Sequence, residues 1–110
     1  MFKGAMELGK VFKQAKQMQE KMEKVQEELG NKTVQGVSGA GAVTVVLSGH
    51  YRCQKINLSP EALQEDPEIL TALIAAAYND AADKVEELKN SELSAVTGGL
   101  EIPAGMKLPF

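Results

Sequence analysis

His50 and Cys53, the only imidazole and the only thiol in the sequence, are the two side chains with the most reactive chemistry. A thiol nucleophile needs a base held within hydrogen-bond reach, and a three-residue separation along the chain does not by itself supply one. His50 falls in a turn after Gly49, and Cys53 in the strand that follows, where a small core residue is the expected role. One His and one Cys without clustered carboxylates cannot form a zinc set. The run Gly36-Val37-Ser38-Gly39-Ala40-Gly41 has the glycine density of a phosphate cradle, but it leads into a strand and not into a helix N-terminus, so a hairpin turn is the better reading. No enzymatic activity, metal or cofactor is expected.

The lysines carry more information. The formal net charge is -3, which taken whole argues against a polyanion ligand. Its distribution is uneven: residues 1–24 hold six Lys (3, 10, 13, 16, 21 and 24) against three Glu (7, 20 and 23). The remainder is correspondingly acidic, so the chain has two electrical ends. Lys16 and Lys24 each have Glu20 four residues away, whereas Lys13 has no acid at three or four residues in either direction. Lys10, Lys13 and Lys16 follow one another at i, i+3 spacing, which makes them repel on a helix unless an anion offsets them. Charge alone therefore leans toward a polyanion contact, against the plainer reading of a solvated surface.

The element that must carry these lysines is a long helix. Leu8, Val11, Ala15, Met18, Met22, Val25 and Leu29 alternate spacings of three and four, an a/d heptad seam. With Leu8 at position a, Lys10, Lys13 and Lys16 face away from the seam. Met18 and Met22 read as gap-filling seam residues before they read as an adaptable partner surface. Gly30-Asn31 is a helix stop.

Three β-rich segments follow, at Thr33 to Val37, Ala42 to Ser48 and Tyr51 to Leu58, joined by Ser38-Gly39-Ala40-Gly41 and Gly49-His50 as an antiparallel meander. The second segment alternates cleanly through Val43, Val45 and Leu47. In the third, Tyr51, Cys53, Ile56 and Leu58 do not share a face, and the register is open. Ser59-Pro60 opens a short helical turn, and Asp66-Pro67 opens a second long helix running to about Asn90. Its apolar stripe is Ile69, Leu70, Leu73, Ile74, Ala77, Tyr78, Ala81, Val85 and Leu88, and its alanine cluster permits close approach of another element. Residues 98–110 form an extended tail with apolar residues at every even position from Leu100 to Phe110. This is either an edge suited to a groove or chance alternation at a frayed terminus.

The 110 residues fit one domain, an α+β fold over residues 1–97, with the tail outside it. No run approaches the ~20 apolar residues of a membrane span. The N-terminal residues lack a signal-peptide pattern, and a lone cysteine suits a reducing compartment, so a cytoplasmic protein is expected. Each long helix would extend ~35 Å, about the whole ~34 Å diameter of a compact domain of this size. One small sheet cannot bury two such helices. A second copy covering the seam, an intrachain helix hairpin, or both are expected.

Four blocks together resemble one known family, in register over essentially the whole chain. They are Lys13-Gln14-Ala15-Lys16-Gln17-Met18-Gln19-Glu20-Lys21-Met22, the Ser38-Gly39-Ala40-Gly41 turn, Ala75-Ala76-Ala77-Tyr78-Asn79-Asp80-Ala81-Ala82, and Ile102-Pro103-Ala104-Gly105-Met106-Lys107-Leu108-Pro109-Phe110. The chain resembles the YbaB/EbfC nucleoid-associated proteins of bacteria. That resemblance implies a helix, three-stranded sheet, helix fold dimerised into a tweezer-like shape, which binds double-stranded DNA in the nucleoid and influences gene expression. It makes Lys13, Lys16 and Lys21 DNA-contact residues; Lys10 joins them on charge. Lys84 and Lys89 are weaker candidates, because this chain has Asp83-Lys84 where the family pattern has a basic pair, and the third strand carries only Arg52 and Lys55. The expected function is a homodimer gripping duplex DNA through phosphates with low sequence preference, with no small-molecule substrate and no membrane partner. The alternative is an adaptor that grips a partner protein with the exposed faces of its long helices.

Overall fold

In the computed structural model, residues 2–97 are described, with side chains from residue 7 to residue 96. The tail expected at 98–110 lies outside the described residues. The elements are α1 (Phe2–Asn31), β1 (Thr33–Ser38), β2 (Val43–Ser48), β3 (Cys53–Leu58), a one-turn α2 (Pro60–Leu63) and α3 (Pro67–Thr97). The sheet is antiparallel in the order β1-β2-β3. The expected α+β class and meander are both present.

The turn between β1 and β2 runs through Gly39, Ala40 and Gly41 at φ of 58°, 55° and 92°. Two of these three left-handed positions are glycine, which adopts them without the penalty a Cβ brings. Ser59 caps α2 as expected, its Oγ accepting from the Ala62 N–H at 3.1 Å.

The strand ends of β1 and β2 shift by one residue, and two boundaries differ by more from the sequence reading. α3 continues past Asn90 to Thr97, because residues 91–97 contain neither Gly nor Pro and nothing stops the helix before Gly98-Gly99. β3 begins at Cys53, not Tyr51, since Tyr51 sits at φ 62°, outside the strand region. A register shift between Val46 and Leu47 explains the blurred alternation. Leu47 pairs with Cys53 and Val45 with Ile56, so one extra residue in β3 brings Cys53, Ile56 and Leu58 onto a common face.

That face is the one α3 packs against. Val43, Val45 and Leu47 of β2 are fully buried, with Ala77, Ala81 and Val85 of α3 upon them and Val34, Leu58, Leu70, Leu73 and Ile74 around the margin. Gly36 of β1 allows the closest approach: a Cβ built there would fall on the Ala77 carbonyl and the Ala81 N–H, and 2.7 Å from the Ala81 Cβ. The alanine cluster and this strand glycine thus serve one contact between two backbones.

α3 covers β1 and β2 and leaves β3 open. Cys53 is therefore exposed, which corrects its assignment to the core; its side chain faces the right way, but on an edge strand beyond the reach of the covering helix. Ile56 is 47 % exposed for the same reason, and Tyr78, expected in the buried stripe of α3, is 40 % exposed.

The two outer edges of the sheet are treated differently. On β1, the Val37 N–H donates to Asp80 Oδ2 at 2.9 Å and Lys84 Nζ donates to the Gln35 carbonyl at 2.7 Å, with Lys84 3.2 Å from Asp80. α3 thereby closes the free hydrogen-bonding edge of β1 with an ion pair. The Val37 N–H, and then Lys84, hold the Asp80 carboxyl below its ordinary value of 3.8. A lowered native value means that the folded state binds fewer protons. The stability Asp80 contributes is thus present above the ordinary carboxylate range and is lost as pH falls through the lowered value. Asp80→Asn, whose side-chain oxygen can still accept from Val37, is expected to reduce stability at neutral pH and to flatten this part of the acid limb. Urea midpoints of the two proteins, measured from about pH 6 to about pH 3, check this; parallel curves would contradict it.

Candidate nucleic-acid interface

The 30 residues of α1 and the 31 of α3 make rods of ~45 Å each at ~1.5 Å per residue. The molecule measures 75 × 25 × 17 Å, with a radius of gyration of 20.3 Å against ~13 Å for a compact domain near this size. The helices do not lie side by side along their whole length. They meet near their C-terminal ends, and α1 carries on alone as an arm.

The base of the arm is an elbow against the turn between β2 and β3. Leu29 is fully buried and Val25 nearly so. The Gly49 N–H donates to the Leu29 carbonyl at 3.0 Å, and His50 Nε2 donates to the Gln26 carbonyl at 2.8 Å. The Leu29 carbonyl, one of the last four of α1 and so without an i+4 partner in the helix, is thus satisfied by the turn, and the Gln26 carbonyl one turn earlier accepts from the His50 ring as well. Gly49 allows this approach, since a Cβ there would sit 2.8 Å from the Leu29 carbonyl carbon. Lys32, just past the helix, pairs with Glu92 of α3, and that hydrogen bond raises its pKa. His50 is a clasp at the base of the arm, with its ring nitrogen engaged by α1.

Along the arm, Lys10, Lys13, Lys16 and Lys21 are all exposed. Lys10 to Lys16 covers ~9 Å of helix axis, two to three nucleotide steps at ~3.4 Å each along one strand. The same stretch of outer face carries no acid; Glu20, Glu23 and Glu27 occupy it only toward the elbow. Its charge is therefore locally positive in a chain that is negative as a whole.

The seam on the opposite side divides into two parts. Val25 and Leu29 are buried, Met22 is half-buried, and Met18, Ala15, Val11 and Leu8 are exposed, Val11 at 59 %. The expected intrachain helix hairpin therefore exists only at the elbow, because α3 ends before it can cover the rest.

The two lysines of α3 are placed differently from those of the arm. Lys84 is engaged on the β1 edge, and Lys89 lies over the Tyr51 ring, 4.6 Å from its centroid. Burial, and then Glu86, push the Tyr51 phenol up. Lys84 holds α3 to the edge of β1 and Lys89 packs it on the turn between β2 and β3, and neither belongs to the row on α1. Neither structural role was legible in the sequence, since both depend on which flank of α3 faces which strand.

A long basic arm on an α-β-β-β-α body is a shape with known relatives. A sequence profile described as the YbaB/EbfC DNA-binding family matches residues 3–100. The chain belongs to that family. The crystal structure of an uncharacterized protein from Helicobacter pylori shares the fold, with a TM-score of 0.70 at 20 % identity over 80 % of this chain and 94 % of that one. The YbaB/EbfC match spans every described element and so takes in both the arm and the sheet. Among the described residues, no helix is long and apolar enough to cross a membrane.

Proposed function

We propose that the protein binds double-stranded DNA as a homodimer with low sequence preference, in the nucleoid, where it influences DNA organisation and gene expression. The observation that carries this reading is the acid-free row Lys10, Lys13 and Lys16 on the exposed face of a helix standing clear of an acidic body. Lysines on an exposed helix reach phosphates as point charges, which positions DNA without reading its bases. Lys21 extends the row toward the elbow. The acidic remainder repels DNA from the rest of the surface and so limits how the duplex can approach.

A second copy is best accommodated on the open side of the sheet. Tyr78 and Ala82 lie on the flank of α3 that turns toward β3, the flank that also places Lys89 over Tyr51. Tyr51, Cys53, Ile56 and Tyr78 are exposed there. The opposite edge of the sheet is closed by Asp80 and Lys84, so an isologous contact belongs on the β3 side. A dimer joined through its sheets leaves both arms projecting, as a two-pronged grip on DNA requires.

The mechanism is tested by its salt dependence. Six phosphate contacts per dimer imply that affinity for a duplex falls roughly 10³-fold between about 50 and 200 mM monovalent salt. A gel-shift or anisotropy titration reads this slope. A flat response would remove phosphate contacts as the source of affinity. The exposed apolar half of the α1 seam favours a second reading, an adaptor that grips a protein; no duplex affinity even at low salt, together with a stoichiometric protein complex, would establish it.

A further inference from the structure

The bare half of α1 keeps a pattern that its own body does not use. Leu8, Val11, Ala15 and Met18 continue the alternation of three and four that Met22, Val25 and Leu29 follow, and all four are exposed, Leu8 at 57 % and Val11 at 59 %. A straight helix drifts ~20° per heptad against such a repeat, so a seam held at a strict seven-residue period suits a second helix wound along it and not a sheet. α3, the other long helix among the described residues, packs on the sheet and meets α1 only toward the elbow, where Val25 and Leu29 are buried. With Leu8 at position a, the positions flanking the bare seam are Glu7, Gln14 and Lys21 at g and Phe12 and Gln19 at e; Phe12 is 69 % exposed.

We propose that this half of α1 pairs antiparallel with the same half of a second copy, Leu8 on the partner's Met18 and Val11 on the partner's Ala15, with the reverse contacts following by two-fold symmetry. Charge fixes the orientation. In an antiparallel pair position g faces g, and in this register Glu7 meets the partner's Lys21 at both ends, with Gln14 on its own copy between them. A parallel pair sets g against e, so Glu7 and Lys21 would meet the partner's Phe12 and Gln26, and the two rows from Lys10 to Lys16 would lie level and repel. The register follows from the same residues. One heptad further on, Leu8 would need Val25, which is already buried, and Glu7 would face Glu28; one heptad back, Glu7 would face Gln14 and no ion pair would form. The two Phe12 rings, at e, flank the two-fold axis beside the small Ala15 layers. Lys10, Lys13 and Lys16 stay outside the pair at c, f and b, so two joined arms carry two lysine rows on one strut. This contact is separate from the one on the β3 side and joins the arms of different dimers.

Cross-linking reads the register. Two full-length proteins with Cys53→Ser, one carrying Leu8→Cys and the other Met18→Cys, are mixed in a glutathione redox buffer. The mixed disulfide is expected about tenfold or more over the self-disulfide of residue 8, because ~15 Å of helix axis separates the two copies of that residue in this register. An excess of the self-disulfide, or no more mixed disulfide than the unfolded proteins form in urea, would overturn the proposal. Charge exchange gives a second reading, by sedimentation without DNA. Glu7→Lys or Lys21→Glu alone turns both ion pairs into like-charge pairs and is expected to weaken association of the arms about tenfold, and the double exchange to restore it. Single variants that associate as the wild type does, or a double variant no stronger than the singles, would also overturn it. A mass that stops at a dimer in every variant would sink this contact and leave the sheet-side one standing. A dimer that the single exchanges dissolve would keep this contact and remove the other.

Discussion

Replacing Lys10, Lys13 and Lys16 together by Gln is expected to weaken duplex DNA binding at least ~10³-fold at about 100 mM salt and to lower the salt slope by about five units, with little change in stability. The three side chains are exposed on the arm. Gln is as good a helix former as Lys, so the helix is kept. Their removal also relieves i, i+3 repulsion, so folding should be unchanged or slightly favoured. Two arms per dimer lose six charges, and each phosphate contact releases about 0.9 counterion from B-form DNA, which sets the change in slope; the loss at fixed salt is the electrostatic part of the affinity that goes with those contacts. Anisotropy titrations at several salt concentrations, with circular dichroism to show that the variant is folded, provide the measurement. Wild-type affinity and slope in the folded variant would move the binding face off this part of α1. Lys84→Gln and Lys89→Gln serve as contrasts: their side chains are held on Gln35 and Tyr51, so their loss should show in stability more than in DNA affinity.

Gly36→Ala is expected to be the most damaging single substitution to the fold, costing about 3 kcal/mol or more, at the upper end of what overpacking does. The added methyl would meet the Ala77 carbonyl and the Ala81 N–H, which belong to one turn of α3 and cannot move aside as a side chain does. Relief requires α3 to lift from β1. Lifting it would open the contacts of Ala77, Ala81 and Val85 with β2 and draw Asp80 and Lys84 away from the β1 edge. A domain of this size has only ~5–15 kcal/mol in total, so the variant should show a large drop in urea midpoint or fail to accumulate as folded protein. A wild-type midpoint would mean that the helix-to-strand approach is looser than it stands here. Val37→Ala, one residue on and facing away from α3, should be mild by comparison because Val37 is already half exposed.

Much of the organisation was legible from local pattern. The helix of α1, the glycine turn between β1 and β2, the Ser59 cap and the alternation in β2 each depend on neighbours a few residues apart, and each is present in the structure, whereas of the α1 seam only Val25 and Leu29 are buried. The lysine row was legible as well, because charge on a helix face follows from spacing alone. The fate of Cys53 was not, since whether a strand residue is buried depends on how far a helix from elsewhere in the chain reaches across the sheet. The uncovered side of β3 and the closed edge of β1 are two results of one fact, the lateral placement of α3. The strand glycine and the alanine cluster were both visible as separate features, but nothing in their spacing tied one to the other.

The sequence by itself thus determined that this protein has a long helix with an apolar seam on one side and an acid-free row of lysines on the other, because helical periodicity converts spacing directly into faces. Only the tertiary structure decided where that helix stops being part of the body and becomes an arm. That division is set by the point at which α3 ends alongside it and by the Gly49-His50 turn that clasps its base, and both are contacts between residues far apart in the chain.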